Sequence, residues 1–489
     1  MRVVVVGAGL GGLAASCHLA GRGHDVVVFE RDTEPGGVAG RLEGGGYRID
    51  TGPAVLTMLG ILDDTFRAAG ATLDEHLAVQ PLDPMYRACF ADGSELHVRA
   101  GTEAMAGEIE DFAGSGAAEG FRRFSAWLRD LYEAEFGSFI NRNFDSPLGL
   151  ARRPGDLARL VRLGALGRLA PKVASFFDDE RLQRVFSFQA LYAGLSPFDA
   201  LAVFSIITYM DTVEGVSFPS GGMHEVARGL AAAAEKAGAS FAYASPVERI
   251  DRGADGVVSG VRLATGERVA ADAVVCNADV AATYRTLLGL AAPRRVSHGR
   301  YSPSCALWLA GVRGSPPPGA AHHNLHFGRP WRAAFDTLLR DGRRMPDPSI
   351  LVTAASVTDP SLAPAGGTTL YVLEPVPNLD GAVAWDTAEE ETQADLRARV
   401  GALGYPVDDI ELEAFIGPPG WAARGLERGT PFALAHQFFQ SGPFRTPNID
   451  RRIPGLVLVG MGTVPGVGIP MVLLSGRLAA DRVERWGGS

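Results

Sequence analysis

The first thirty residues limit the fold more than any other part of the chain. Four valines at positions 3–6 lead into Gly7-Ala-Gly9-Leu10-Gly11-Gly12, an alanine- and leucine-rich segment follows, and a second apolar run, Val26-Val-Val-Phe29, ends at Glu30. A short β-branched run, a helical stretch and another β-branched run read as strand, turn, helix, strand, which is a βαβ unit. Each glycine has a physical role there. Gly7 permits the tight turn, Gly9 lets backbone amides approach a pyrophosphate, and Gly12 allows helix and strand to pack closely. Glu30 stands where an acid accepts hydrogen bonds from the adenosine ribose hydroxyls. These features together predict a bound dinucleotide.

The chain does not continue directly into a third strand of that fold. Pro35-Gly36-Gly37 and Gly40-Arg41 come next, then Asp50-Thr-Gly52-Pro53. A second glycine pair just beyond the ribose acid suits a longer cofactor whose ribityl chain and ring system run along the backbone, which favours FAD over NAD.

With 489 residues, the chain has room for much more than one cofactor domain. Residues 60–230 read as mainly helical, with apolar residues at helical spacing over 121–139 and 157–177, and a hairpin across 86–98 turning at Asp92-Gly93. Short strands return over 246–280, with a turn at Thr265-Gly266. Residues 285–445 are mixed, with strands near 307–312 and 368–376 and a helix over 388–403. The end is again strand, glycine loop and helix, the helix covering 471–486. The expected fold is therefore α/β: a Rossmann-type FAD-binding domain interleaved with a mixed α+β substrate domain that contains a helical membrane-facing region. Its FAD-binding pieces are 1–85, 236–284 and 446–489; the substrate pieces are 86–235, helical and membrane-associating, and 285–445.

Composition removes several classes. Lys+Arg total 46 against 56 Asp+Glu, a net charge of −10, so no nucleic-acid partner is expected. Cys17, Cys89, Cys276 and Cys305 include no Cys-x-x-Cys pair, which argues against a disulfide framework or zinc site and for a reducing cytoplasm. His322, His323 and His326 form a cluster without a nearby cysteine or carboxylate, and read as a polar loop rather than a metal site. The stretches 3–21, apart from His18, and 455–476 are uncharged over about a membrane span, but glycines and prolines interrupt both. Neither a transmembrane segment nor a signal peptide is expected.

The N-terminal motifs, together with Thr463-Val-Pro-Gly466-Val-Gly468-Ile-Pro470 and Gly476-Arg477, resemble those of the bacterial phytoene desaturases of carotenoid biosynthesis. The resemblance runs over essentially the whole chain. Middle segments carry it too: Phe144-Asp-Ser-Pro-Leu148, Phe186-Ser-Phe-Gln-Ala-Leu191, Tyr209-Met-Asp-Thr-Val-Glu-Gly215, Gly221-Gly222-Met-His224 and Asn277-Ala-Asp279. Many members carry arginine where this chain has Val38 and histidine where it has Val464. The resemblance implies an FAD enzyme that removes hydrogens from saturated C–C bonds flanking a polyene, converting phytoene toward neurosporene or lycopene. Late hydroxycarotenoid 3,4-desaturases and carotenoid cis–trans isomerases are related alternatives. A non-catalytic isoprenoid escort protein of the same fold is another.

A hydrocarbon offers no polar handle, so its site should be a long apolar tunnel. Phe139, Phe186, Phe188, Tyr192, Phe198, Phe204, Tyr209 and Phe218 are the aromatics expected to supply it. Gly7, Gly9, Leu10, Gly11 and Gly12 are expected at the pyrophosphate, Glu30 at the ribose, and Arg31, Gly37, Val38 and Arg41 along the chain toward the flavin. Val247 is implied at the adenine, and Gly462, Thr463, Val467, Gly468 and Ile469 at the flavin. Asp211 and Glu214 are the candidate bases for the proton that leaves beside the hydride, and Arg152 is carried over as a basic residue near the reacting centre. No second GxGxxG follows a strand, so oxygen or a quinone is the expected electron acceptor. Residues 152–172, cationic and leucine-rich, could lie on an anionic bilayer, which places the protein in the cytoplasm with peripheral membrane contact.

Overall fold

The computed structural model describes residues 1–144, 146 and 154–487. The opening unit forms as its sequence dictates. β1 (Arg2–Val6) leads into α1 (Leu10–Gly21) and then β2 (Asp25–Phe29), with Val3, Val4 and Val5 fully buried. The valines are buried because both faces of the sheet are covered: Val3 and Val5 pack on the side of α1, and Val4 packs on the side of Ile250, Val258 and Val261. β1 pairs in parallel with β2 on one side and with the strand Ala273–Cys276 on the other. The strands Leu456–Leu458 and Ser240–Ala242 complete five strands in the order 456–458, 273–276, β1, β2, 240–242. This one sheet thus draws strands from the start, middle and end of the chain.

α1 is sandwiched between the helices His224–Lys236 and Ile469–Gly487. A Cβ on Gly476 would sit 2.5 Å from the Ala14 Cβ and 2.6 Å from the Ala15 amide, so glycine is what lets the last helix cross α1. A three-stranded antiparallel meander, Val247–Arg252, Val258–Leu263 and Arg268–Ala270, covers the face of the five-stranded sheet opposite α1, with Ile250, Val258 and Val261 in one core with Val4, Val274 and Cys276.

The second body is built on a seven-stranded sheet in the order 410–416, 304–313, 367–376, 350–353, 323–326, 86–89, 95–98. It is antiparallel except where His323–His326 runs parallel to Tyr86–Cys89. The long strand Ser304–Arg313 is buried along nearly its whole length, with Trp308 fully enclosed. Beside the sheet the helix Ser115–Glu135 packs through a cluster of rings. Phe186 lies 5.2 Å from Phe121, 5.6 Å from Phe124 and 5.0 Å from Phe177 between centroids.

Two local expectations are corrected. His322, His323 and His326 are not in a polar loop: His323–His326 is a strand, and both His322 and His323 are buried. Their Nδ1 atoms meet the hydroxyls of Thr358 and Thr353, each at 2.8 Å, which is how a sheet interior accepts imidazoles. Burial holds both rings below the ordinary histidine range, His322 at about 3, so they are neutral. The helical pattern over 157–177 is two helices, Pro154–Arg162 and Leu169–Ala174, because Gly164 adopts φ +71 between them. No helix among the described residues is long and apolar enough to cross a membrane.

Candidate active site

A cavity of about 1780 Å³ runs from the glycine turn of β1 into the apolar interior between the two bodies. Gly7, Gly9, Leu10, Gly11, Glu30, Arg31, Gly37, Val38, Arg41, Val247, Gly462, Val467, Gly468 and Ile469 all line it. So does Val464. Gly7 adopts φ +94, and its amide donates to the Phe29 carbonyl at 2.8 Å, which closes the turn between β1 and β2. Gly12 does not face the cavity. A Cβ there would overlap the Gly7 carbonyl, so its role is the helix–strand contact. Thr463 is also turned inward, its hydroxyl donating to the Thr446 carbonyl at 2.9 Å.

The donors and acceptors fit FAD. α1 begins at Gly9 with no side-chain cap, leaving its first amides to an anion. The Glu30 carboxylate accepts from the Ala8 amide at 2.6 Å and the Asp32 amide at 2.9 Å. Two backbone donors fix it at the edge of the cavity, and a carboxylate has lone pairs left for two ribose hydroxyls. The helix Ile469–Gly487 likewise opens on the cavity, where its positive end suits negative charge on a flavin.

Three features were not read from the sequence. Asn277, at the end of the strand Ala273–Cys276, wedges between the two glycine loops. A Cβ on Gly9 would lie 2.5 Å from its Nδ2, one on Gly11 2.7 Å from its Oδ1, and one on Gly460 2.8 Å from the same oxygen. Arg445 is fully buried and donates to the carbonyls of Met461 at 2.7 Å, Thr463 at 3.0 Å and Leu434 at 3.2 Å. Burial lowers its pKa to about 10, so it stays charged at neutral pH. Asp50 accepts from the amides of Met223 at 2.8 Å and His224 at 3.0 Å, tying the Asp50-x-Gly52 and Gly221-Gly222-Met-His224 segments together. Each partner is remote in sequence, so no spacing rule marks it.

The far part of the cavity is apolar. Phe139, Tyr192 and Phe204 line it as expected, joined by Ile206, Ile207, Met210 and Trp421. Phe186, Phe188, Phe198, Tyr209 and Phe218 do not line it. Phe186 sits in the ring cluster, Phe188 against Tyr86, Phe198 against Phe335, Tyr209 against Tyr132 and Phe218 against His322. Core packing claims Phe186, Phe188, Tyr209 and Phe218, while Phe198 is half-buried under the Arg332 guanidinium.

Asp211 faces this part of the cavity and is buried. Burial raises its pKa to about 7, against the lowering effects of Thr212, which donates to Oδ1 at 3.0 Å, and Gln189, which donates to Oδ2 at 3.3 Å. Glu214 is not among the lining residues; it stands near the rings of Tyr132 and Tyr209. Arg152 and most of the segment 144–148 lie outside the described residues. A second carboxyl, Glu135, lines the cavity and was not singled out from the sequence. Burial drives it well above the ordinary carboxyl range.

A dinucleotide cradle opening into an enclosed apolar cavity with a tuned carboxyl on its wall defines a flavin-dependent oxidoreductase. The family of flavin containing amine oxidoreductases matches residues 10–484. A phytoene dehydrogenase from Streptomyces griseus is 48% identical over 98% of this chain and 94% of its own. A zeta-carotene-forming phytoene desaturase from Myxococcus xanthus is 38% identical over 99% and 94%. Among solved structures, a putrescine oxidase with putrescine bound superposes with a TM-score of 0.60 at 15% identity, over 99% of this chain and 100% of that one, a likeness of fold. The chain belongs to the flavin-containing amine oxidoreductases, in the branch that holds the phytoene desaturases, and its cofactor is FAD.

Proposed function

We propose that this protein is an FAD-dependent phytoene desaturase that introduces double bonds into phytoene toward neurosporene or lycopene. The continuity of the glycine cradle with an apolar cavity carrying Asp211 supports this reading most directly. The relatives' names point to the same substrate class, a hydrophobic polyene. We assign 1–85, 236–284 and 446–489 to the cofactor domain and 86–235 and 285–445 to the substrate domain. Packing on α1 adds the helix His224–Lys236 to the cofactor domain.

FAD, when bound, supplies the acceptor for a hydride taken from an allylic C–H bond. The rest falls to the chain. Gly9, Leu10 and Gly11 bind the pyrophosphate through their amides, Glu30 the ribose, Arg31 and Val247 the adenosine side, and Gly37, Val38 and Arg41 the stretch toward the ring. Gly462, Val467, Gly468 and Ile469 form the wall at the ring, braced from behind by Thr463, while Gly12 lets α1 sit close enough to serve the pyrophosphate. The apolar wall excludes water and orients the polyene by shape. Asp211 takes the proton from the carbon next to the one that gives up hydride, and that C–H electron pair becomes the new π bond. Its pKa suits it to be ionised yet basic near neutral pH. Glu214 stands outside the cavity, out of reach of the proton that leaves, and Arg152 enters this scheme on the family resemblance alone. Electrons leave for oxygen or a quinone.

The substrate reaches the cavity from a bilayer. Leu157, Leu160 and Leu166 line the cavity, and Leu157, Val161 and Leu166 are also exposed, as are Phe438 and Phe439 at 52% and 74%. Arg162, Arg168 and Lys172 supply positive charge nearby, while Arg159 is paired with Asp130 and Glu133, so the helical region docks on the cytoplasmic membrane. The test is expression in a cell that accumulates colourless phytoene. Appearance of neurosporene or lycopene absorption bands supports the reading; unchanged phytoene with folded, flavin-loaded protein overturns it.

A further inference from the structure

Asp211 lies in a wide five-residue turn, Tyr209–Val213, a break in the helical ladder of the kind that re-aims a side chain. Its two oxygens are held differently. Oδ1 accepts from the hydroxyl of Thr212, the next residue, at 3.0 Å. Oδ2 accepts at 3.3 Å from the side-chain amide of Gln189, a buried residue in the short segment Phe188–Ala193 that follows the helix Glu180–Val185.

The Gln189 amide has no freedom to turn over. Its Nε2 donates to the Val185 carbonyl at 3.1 Å as well as to Asp211, which uses both of its protons, and its Oε1 accepts from the Thr208 hydroxyl at 3.3 Å. Reversed, the amide would set its oxygen against the Val185 carbonyl and the Asp211 carboxylate, two acceptors in a buried place where water cannot compensate. The hydrogen-bond network therefore assigns the nitrogen to Asp211. The Thr212 hydroxyl is different, because it rotates and can donate to a carboxylate or accept from a carboxylic acid.

This asymmetry decides how the carboxyl holds a proton. A proton on Oδ2 would meet a hydrogen of an amide that cannot reverse, whereas a proton on Oδ1 asks only for a rotation of the Thr212 hydroxyl. We propose that Gln189 is a positioning residue for proton removal: its fixed donor reserves Asp211 Oδ2, keeps the buried carboxyl ionised, and leaves Oδ1 to take the proton from the substrate carbon while that C–H electron pair becomes the π bond. The proposal rests on the Asp211 reading and deepens it. The titratable groups around Asp211 do not compete for the role. Tyr86 and Tyr192 feel its charge and are held neutral by burial, as are Tyr132 and Tyr209, stacked beside the same turn. Burial drives Glu135, in the helix packed on that turn, toward its protonated form, and Glu214 is exposed.

The test follows anaerobic flavin bleaching by phytoene in liposomes across the pH range, with full-length, FAD-loaded protein. In Gln189→Met the midpoint, about 7 in the parent, rises by at least about one pH unit. Bleaching is then about tenfold slower at about pH 6, yet within about threefold of the parent on the upper plateau. An amide that only closed the end of the helix Glu180–Val185 would slow the reaction equally at every pH. Thr212→Val moves the midpoint by less, because a hydroxyl serves both protonation states. Infrared spectra of the substrate-free protein read the titration directly: the protonated-carboxyl band that Asp211→Asn lacks persists to higher pH in Gln189→Met than in the parent. An unmoved midpoint in Gln189→Met overturns the proposal, as does a shift of about one unit or more in Thr212→Val. If Gln189→Met does not hold FAD, the Thr212→Val midpoint decides alone. Parent-like bleaching in Asp211→Asn instead overturns the Asp211 assignment itself, whatever the infrared midpoint does.

Discussion

The Arg445 guanidinium, enclosed in the protein, donates from Nε to the Thr463 carbonyl at 3.0 Å. That bond, with those to Met461 and Leu434, braces the loop at the flavin end of the cavity from behind. Arg445→Met strands three buried carbonyls, at a cost of about 2–4 kcal/mol. The variant is expected to melt at lower temperature and to purify with less than full flavin, both restored in part by added FAD. Differential scanning fluorimetry with and without FAD, together with the flavin-to-protein absorbance ratio, checks this.

A second expectation concerns pH. Asp211 must be ionised to take a proton, so the first-turnover rate rises with pH through about 7 and levels off above it. The titratable neighbours Tyr86 and Tyr192 stay neutral across that range. Stability runs the other way. The folded protein holds the Asp211 proton more tightly than the unfolded chain, whose aspartate titrates near 3.8, so the free energy of unfolding falls as pH rises from about 4 to about 7. Asp211→Asn flattens that part of the curve and slows desaturation by about 10²–10⁴-fold. Stopped-flow flavin bleaching and urea melts at several pH values separate the two effects.

Asn277 and the glycines it touches form a steric lock. Gly11→Ala places a methyl 2.7 Å from the Asn277 Oδ1 and 3.1 Å from the Gly460 backbone. Overpacking of this kind costs about 1–3 kcal/mol, felt here as weaker FAD binding. Asn277→Ala in the same chain removes the closer contact and should recover part of the affinity, read by titrating apoprotein with FAD.

Phe438 and Phe439 expose their rings beside Phe444, which lines the cavity. Burying an exposed phenylalanine in a bilayer interface is worth about 1.5–3 kcal/mol. Replacing both with serine is expected to lower binding to anionic vesicles by at least about tenfold while leaving flavin content intact. Vesicle co-sedimentation over a salt series gives the answer, since the arginine contribution weakens with salt and the ring contribution does not.

Some of the site could be read because its rules are local. A strand, a glycine turn and a helix follow each other within a few residues, so Gly7, Gly9, Gly12 and Glu30 announce the cradle by spacing alone, and the glycine loop before the final helix announces its counterpart. The hairpin 86–98 was legible for the same reason, its turn chemistry and period-two burial acting over a handful of positions, and the strands 247–252 and 273–276 were legible as short β-branched runs bounded by turn residues. The motifs also pointed to the family, because they carry the cofactor's geometry.

What the tertiary structure alone decided is which of many similar side chains meet the cavity. Phe186 and Phe204 look alike in sequence, yet one is locked among rings and the other lines the cavity, because facing depends on helices brought together from distant segments. Glu135 reads as one more acid on an amphipathic helix until the wide turn after it and the packing on Tyr209 aim it inward. The same holds for Arg445, Asn277 and the buried histidine strand. Local backbone preference acts through neighbours in sequence, whereas burial, pKa and the partner of a hydrogen bond depend on atoms that only the folded chain brings within reach.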